Sequence, residues 1–576
     1  MSDRETYPFA FDCAVVYISE NCIFGKNLCM LRRAVYIVFL LLFSKVLLAQ
    51  SPGESYHWIE FTDKNGTEYS IDQPKKFLSQ RAIDRRKRQN IEIDETDLPV
   101  SKAYTDSLQS MGFMIMHTSK WLNGCTIASS DPMLINQLSK INFISSFQLS
   151  KPAIQKKSAI IKFEKAEIWK ETIDSTYYGA SLVQIAQMNG LTLHQQGFRG
   201  KGLHIAVLDN GFLNSNQIAA FDSLWLNERI AAFRDFVNPG GNVFQEGGHG
   251  TNVLSAMGAC LPQQLIGTAP DASYYLLRTE DDGSEYIIEE DNWVAGAEYA
   301  DSLGADIVNS SLGYAFFDDP STDHTYADMD GQTTRVTKAA NMASAKGILV
   351  CNSAGNEGNK SWHYIIAPSD GDRVMAVGAV DSKGAPASFT SFGPASDGDI
   401  KPNVSAMGVS AALTETSGEI VRSNGTSFSS PLLAGMAACL WQAFPHATSA
   451  EIKEAIEQSG SLFASPDNRL GYGIPDFGMA MYLLLKKYLP DELKNADWHV
   501  FPNPISDRLQ ILWLHEKMFS ECRVQLISTR GNLSFDRIFP ESSRINLSNL
   551  ANLPSGLLIL KLTSEEKTTT FKIVKR

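Results

Sequence analysis

Three residues far apart in the chain have the types needed for a nucleophile relay: a carboxylate (Asp209), an imidazole (His249) and a hydroxyl (Ser427). An imidazole can take the proton of a hydroxyl near neutral pH, and a carboxylate can fix its tautomer and stabilise the cation that forms. Asp209 ends the apolar run 203–208 and opens Asp209-Asn210-Gly211. His249 stands among small residues in Gly247-Gly248-His249-Gly250-Thr251, just before a helical stretch. Ser427 lies in Asn424-Gly425-Thr426-Ser427-Phe428-Ser429-Ser430-Pro431, ahead of the apolar helix 432–444. A helix N-terminus favours negative charge developing beside it. A fourth candidate, Asn356, follows the apolar strand 347–351 in Ser353-Ala354-Gly355-Asn356-Glu357-Gly358, where its amide can donate to an oxyanion. Singly, each has an ordinary reading as a turn aspartate, a packed histidine, a glycosylation sequon or a turn asparagine. Their order along the chain makes them a set.

The elements that must position them are legible between about 177 and 486. Continuous apolar runs at 203–208, 274–277, 307–308, 348–351 and 374–380 read as strands buried on both faces of a parallel sheet. Helical stretches at 252–259, 292–303 and 336–346 alternate with them. This predicts an α/β domain with a doubly wound parallel sheet, whose strand carboxyl ends gather functional residues. Gly200 and Gly202 precede their strand, the wrong side for a dinucleotide loop. The segment 50–150 reads differently, with strands near 56–61, 112–116, 125–128 and 144–149 and a helix over 131–141, a small α+β unit. Its basic run Arg85-Arg86-Lys87-Arg88 is read as a solvated helix face rather than a cleavage site. The segment 498–576 has short alternating runs that predict a β-sandwich.

The 177–486 region resembles the subtilisin-like serine proteases. The resemblance runs in order through Tyr178-Gly179, Gly197-Phe198-Arg199-Gly200-Lys201-Gly202, Gly250-Thr251, Gly267-Thr268-Ala269-Pro270 and Asn309-Ser310-Ser311-Leu312-Gly313. Val377-Gly378-Ala379-Val380, Ser391-Phe392-Gly393-Pro394 and Gly471-Tyr472-Gly473 complete it. The order Asp, His, Ser is also that of subtilisins. The resemblance implies a secreted serine endopeptidase that forms an acyl-enzyme on Ser427, with His249 as base, Asp209 as its partner and Asn356 as oxyanion donor. It further implies that Ser311, Leu312 and Gly313 pair with substrate backbone, and that Ser353, Ala354 and Gly355 wall the specificity pocket. Residues 360–370 do not follow the family pattern and leave the pocket floor unassigned, while Glu357 is a candidate for attracting basic side chains. Asn210 replaces the usual Ser or Thr after the aspartate, and its amide is expected to donate to that carboxylate. Asn252 stands where the family often has a second histidine, which is not a triad position. No cofactor is required; calcium sites occur in many relatives, and no acidic constellation in the sequence locates one. The alternative, a non-catalytic subtilisin-fold surface binding module, has no reason to keep all four residues.

The flanks extend the resemblance. Residues 50–150 resemble the inhibitory propeptides of these proteases, most visibly at 112–129. Residues 498–576 resemble the sorting domain of the type IX secretion system of certain Gram-negative bacteria, through Phe501-Pro502-Asn503-Pro504, Leu553-Pro554-Ser555-Gly556 and Lys572-Ile573-Val574-Lys575-Arg576. Leu31-Arg32-Arg33, the apolar run 34–43 and Ala49 predict a signal peptide over 30–49, with Met30 as the expected true start. The run is too short for a span and is followed by Lys45, so stable membrane insertion is not expected. With 51 basic and 64 acidic residues, a formal charge of −13, the chain is a poor candidate for nucleic acid. The expected partners are protein or peptide substrates, the chain's own propeptide and the secretion machinery, in a protein that ends up secreted or on the cell surface. Cys125, Cys260, Cys351, Cys439 and Cys522 are too scattered for a zinc site or a disulfide framework.

Overall fold

The computed structural model describes residues 53–154, 162, 177–489, 497–513, 519–542, 544–564 and 567–576. The signal peptide expected over 30–49 and the start at Met30 lie outside these residues.

The N-terminal unit contains β1 (Ser55–Phe61), α1 (Gln80–Arg88), α2 (Lys102–Ser110), β2 (Met114–Ser119), β3 (Gly124–Ser129) and β4 (Ile144–Lys151). Its antiparallel sheet has the order β2-β3-β1-β4. Ile59, Phe61, Leu108, Phe113 and Ile127 fill its core. The helix expected over 131–141 is broken into a single turn, Pro132–Ile135, and a 3-10 turn, Leu138–Lys140. Of these residues only Leu138 is buried, so the apolar spacing had no continuous face to cover. The basic run does form a helix, but Arg85 and Arg86 are 0% and 1% exposed, which corrects the solvated-face reading. They are buried because Asp301 of the next unit receives both guanidinium groups.

The central unit is a seven-stranded sheet. In chain order it comprises β5 (His204–Asp209), β6 (Ile230–Asp235), α3 (His249–Gly258), β7 (Ser273–Arg278), α4 (Ile288–Leu303), β8 (Ile307–Ser310), α5 (Arg335–Ala345), β9 (Leu349–Ser353), β10 (Met375–Val380), β11 (Val404–Met407) and α6 (Thr426–Ala443). The order across the sheet is β11-β10-β9-β8-β5-β7-β6, every neighbouring pair parallel. Strand alternation divides the core between two layers. Ile205 and Val207 face the layer of α3 and α6, whereas Ala206 and Leu208 face that of α4 and α5. The two strands not announced by apolar runs, β6 and β11, are the edges of the sheet. β6 carries three exposed residues out of six, and β11 has only four residues, one of them Ser405. Helix α4 starts four residues earlier than its apolar spacing suggests, because Glu289, Glu290 and Asp291 are buried carboxylates in its first turn.

In the C-terminal unit, one antiparallel sheet is built from Trp498–Phe501, Leu509–Trp513 and Arg544–Leu547. The other is built from Leu533–Ser542, Phe519–Ser528, Gly556–Ser564 and Lys567–Lys575. They share a core that includes Ile511, Ile545, Val524 and Leu560, which makes a small β-sandwich. Among the described residues no helix is long and apolar enough to cross a membrane.

Candidate active site

Asp209 is the last residue of β5 and is fully buried. His249 is the first residue of α3. Its Nδ1 lies 2.8 Å from Asp209 Oδ1. The glycine that follows His249 explains how the helix comes so close. A Cβ on Gly250 would sit 2.3 Å from the Gly211 carbonyl oxygen and 2.9 Å from Asp209 Cβ, so any side chain there would push the imidazole away from the carboxylate. Asn210 corrects the expectation made for it. Its amide nitrogen donates to Asp282 Oδ1 at 2.8 Å, and its amide oxygen accepts from Gly250 N at 3.2 Å. Asp209 Oδ1 accepts instead from the backbone N–H of Asn210, at 2.9 Å. Asn210 thus braces the two loops and does not touch the carboxylate with its side chain.

Ser427 is the second residue of α6, which begins at Thr426 rather than at 432. Pro431 is therefore inside the helix, not at its first turn. Proline has no N–H and leaves the carbonyl four residues earlier without its helical partner. That carbonyl belongs to Ser427, and the Ser311 hydroxyl donates to it at 2.8 Å. The same gap that loosens the helix ties the serine to the end of β8. The Phe428 ring lies 5.8 Å from the imidazole of His249, centroid to centroid.

Asn356 lies on the loop after β9. Its amide oxygen accepts from Thr426 N and Thr426 Oγ1, both at 3.0 Å. With that end held, its NH₂ end is the one oriented as a donor beside the start of α6. Ser311, Leu312 and Gly313 continue from β8, and Ser353, Ala354 and Gly355 from β9, a neighbouring strand in the sheet. Asn352, which sequence reasoning missed, ties these two walls together by donating to the Leu312 carbonyl at 2.9 Å and to Ser369 Oγ at 3.1 Å. An asparagine inside a buried strand carries no sequence signal that separates it from a turn residue.

Ile366, within the stretch that departs from the family pattern, lies against two of these glycines. A Cβ on Gly313 would lie 2.4 Å from Ile366 Cδ1, and one on Gly355 would lie 2.9 Å from Ile366 Cγ1. The Ile366 side chain therefore occupies the space between Gly313 and Gly355. Glu357 lends no support to basic specificity here, since its carboxylate pairs with Lys360 Nζ at 2.9 Å. Among the described residues, the acidic group compact enough to hold a cation is Glu280, Glu285 and Glu289, and it already surrounds an ammonium, that of Lys162.

The N-terminal unit covers α4 with polar contacts. Thr126 Oγ1 and Ser150 Oγ donate to Asp291 at 3.0 and 2.8 Å. The backbone N–H groups of Lys120 and Trp121 donate to Glu298 at 2.8 and 3.0 Å. Asp301 meets Lys120 Nζ at 2.7 Å and Arg86 Nη2 at 2.9 Å, and also pairs with Arg85. Burial alone would raise the Asp301 carboxyl, but these three cations hold it well below the usual carboxylate range.

Comparison with known proteins identifies the three segments of the chain. Residues 200–473 match the subtilase family, residues 56–165 a peptidase S8 propeptide domain of Bacteroidota, and residues 499–576 a secretion system C-terminal sorting domain. The chain is 32% identical to a thermostable alkaline protease of Halalkalibacterium halodurans, over 51% of this chain and 72% of that protein. It is 31% identical to subtilisin NAT of Bacillus subtilis subsp. natto, over 54% of this chain and 73% of that protein. Among solved structures, the epidermin leader peptide processing serine protease of Staphylococcus aureus shares the fold, with a TM-score of 0.50, 18% identity, and coverage of 75% of this chain and 99% of that one. The sorting domain marks the chain for export by type IX secretion, to the cell surface or the medium. Nothing in these matches favours a non-catalytic module. The chain belongs to the subtilase family and is a subtilisin-type serine endopeptidase, made with a propeptide and a sorting domain.

Proposed function

We propose that Asp209, His249 and Ser427 are the catalytic triad and that Asn356 and the Ser427 backbone N–H hold the oxyanion. The observation that carries this reading is the 2.8 Å contact between the His249 Nδ1 and the fully buried Asp209. His249 takes the Ser427 proton as the hydroxyl oxygen attacks the scissile carbonyl, and then gives it to the leaving amine; water repeats the sequence to release the acyl group. Asp209 keeps the proton on Nδ1 and balances the imidazolium. Asn356 meets a charge that exists only near the transition state, so Asn356→Ala should lower kcat about a hundredfold to a thousandfold with little change in KM, the scale known for this donor in subtilisin rather than one derived from the present geometry. Steady-state kinetics on one peptide decides it; unchanged kcat with raised KM means the oxyanion is held elsewhere.

Ser311, Leu312 and Gly313 pair with substrate backbone, and Ser353, Ala354 and Gly355 face them across the pocket for the residue that precedes the cleaved bond. Ile366 makes that pocket shallow and selects small side chains. In Ile366→Gly, kcat/KM for phenylalanine at that position should rise about tenfold or more relative to alanine. An unchanged ratio in paired peptides would remove Ile366 from the specificity pocket.

Residues 50–150 act as an intramolecular inhibitor that leaves on activation, and the domains are divided as 50–150, 177–486 and 498–576. The propeptide match over residues 56–165 and the contacts over α4 support an inhibitory N-terminal unit. The tail serves the secretion machinery and not catalysis, having a core of its own. A chain lacking 498–576 should stay in the periplasm yet cleave peptide at the normal rate once matured. Cell fractionation and a peptide assay test this; truncated enzyme in the medium, or activity lost together with thermal stability, would refute it.

A further inference from the structure

The loop after β7 and the first turn of α4 bring three glutamates together. Glu280, Glu285 and Glu289 have side chains 3%, 8% and 1% exposed, and one oxygen from each lies within 4.8 Å of the other two. The Lys162 ammonium sits among them, 3.4 Å from Glu280, 3.0 Å from Glu285 and 2.6 Å from Glu289. An ammonium has three N–H donors, one for each carboxylate. The Tyr314 hydroxyl donates to the other oxygen of Glu280, and the backbone N–H of Asp281 donates at 2.8 Å to the Glu289 Oε1 that also meets Lys162. Burial pushes the Glu280 carboxyl up to about 7 and Glu289 well above its ordinary value, with mutual repulsion adding to both. Burial alone would lower Lys162, but the three carboxylates outweigh it and hold the ammonium well above its usual range. A cluster of buried negative charge kept for a single cation is costly unless that cation, or another like it, is always supplied.

The pocket has a definite place relative to the nucleophile. Tyr314 directly follows Gly313, at the far end of the segment that starts at Ser311, and Ser311 touches the Ser427 carbonyl at 2.8 Å. At about 3.3 Å per residue, three residues of extended chain set the Tyr314 backbone roughly 10 Å along from Ser311, and its hydroxyl reaches Glu280. Lys162 precedes the central unit in the chain and so stands on the acyl side of any bond cut to release that unit. We propose that Glu280, Glu285 and Glu289 form a subsite for a lysine or arginine side chain, three or four residues before the cleaved bond, filled by Lys162 in the precursor and by substrate in the mature enzyme. This rests on the pairing of substrate with Ser311–Gly313 proposed above.

The test uses mature enzyme and peptides that differ at one acyl-side position at a time, carrying lysine, arginine, norleucine or glutamate there. At one position, three or four residues before the bond, lysine and arginine should raise kcat/KM about thirtyfold or more over norleucine, with glutamate poorest. In Glu285→Gln and Glu289→Gln the lysine-to-norleucine ratio, taken within each variant, should fall towards one. The wild-type ratio stands even if a variant fails to fold. A wild-type ratio near one, with the norleucine peptide still cleaved, overturns the subsite and leaves the triad reading intact. Failure to cleave any peptide defeats both. The ratios are repeated with added calcium and with chelator; no lysine preference combined with thermal stabilisation by calcium identifies a metal site and overturns the proposal.

Discussion

Replacing Ser427 by alanine abolishes proteolysis and leaves the folded structure in place. The substitution removes one half-buried oxygen and its long 3.4 Å hydrogen bond to the Ser311 carbonyl, while the shorter contact from the Ser311 hydroxyl uses the residue-427 carbonyl, which alanine retains. Stability should change by less than about 1 kcal/mol. The effect on kcat should be about a millionfold, a magnitude taken from subtilisin and not from this geometry. His249→Ala should lose nearly as much, and the double variant little more, because a base without its nucleophile does no work. A second readout is the chain itself. If self-cleavage releases the propeptide, the Ser427→Ala precursor keeps it, and an electrophoretic size difference from wild type reports this without a substrate. Wild-type activity in purified Ser427→Ala would refute the triad.

Asp301→Asn weakens propeptide inhibition by roughly a hundredfold to a few thousandfold, corresponding to about 3–5 kcal/mol for a buried pair that loses one partner. Asp301 faces Arg85, Arg86 and Lys120 together, and both it and the two arginines are almost completely buried. The amide takes the ion-pair partner from the buried Arg85 and Lys120 and leaves Arg86 with Asp97 only, so the penalty falls on the complex. Mature enzyme without its propeptide should keep its kcat/KM, since Asp301 lies on α4 and takes no part in the proposed relay. The measurement is the inhibition constant of separately supplied 50–150 against both mature enzymes; equal constants would show that docking rests elsewhere. The pH dependence follows from the same contacts. A carboxyl held low in the complex contributes fully above its ordinary value of about 4 and loses that contribution only as pH falls from there towards the depressed value. Moving from pH 8 to pH 5 should therefore leave this part of the inhibition unchanged.

How much could be read without coordinates depended on whether the physics was local. β5 was legible because a strand buried on both faces must be apolar throughout, and Asp209 marks its end with a charge. β6 and β11 were not, because half of edge strand β6 is exposed, and β11, though buried, has only four residues, one of them a serine. The start of α4 was hidden for the opposite reason. Its first turn is rich in carboxylates, which read as solvent-facing, while in the folded chain they are buried beneath partners from distant segments, such as Arg335 and Lys162. Arg85 and Arg86 were misread in the same way.

The sequence by itself determined the family's chemistry and named the carboxylate, imidazole, hydroxyl and amide proposed for it, because motif glycines and flanking runs are properties of neighbouring residues. Only the tertiary structure decided who their partners are. Asn210 turned from Asp209 to Asp282, Pro431 left a carbonyl for Ser311, and Ile366 entered the space between Gly313 and Gly355. Each pairs residues tens to more than a hundred positions apart, and a buried polar group or a slot of a given depth is satisfied by whatever the fold brings next to it, not by what lies beside it in the chain.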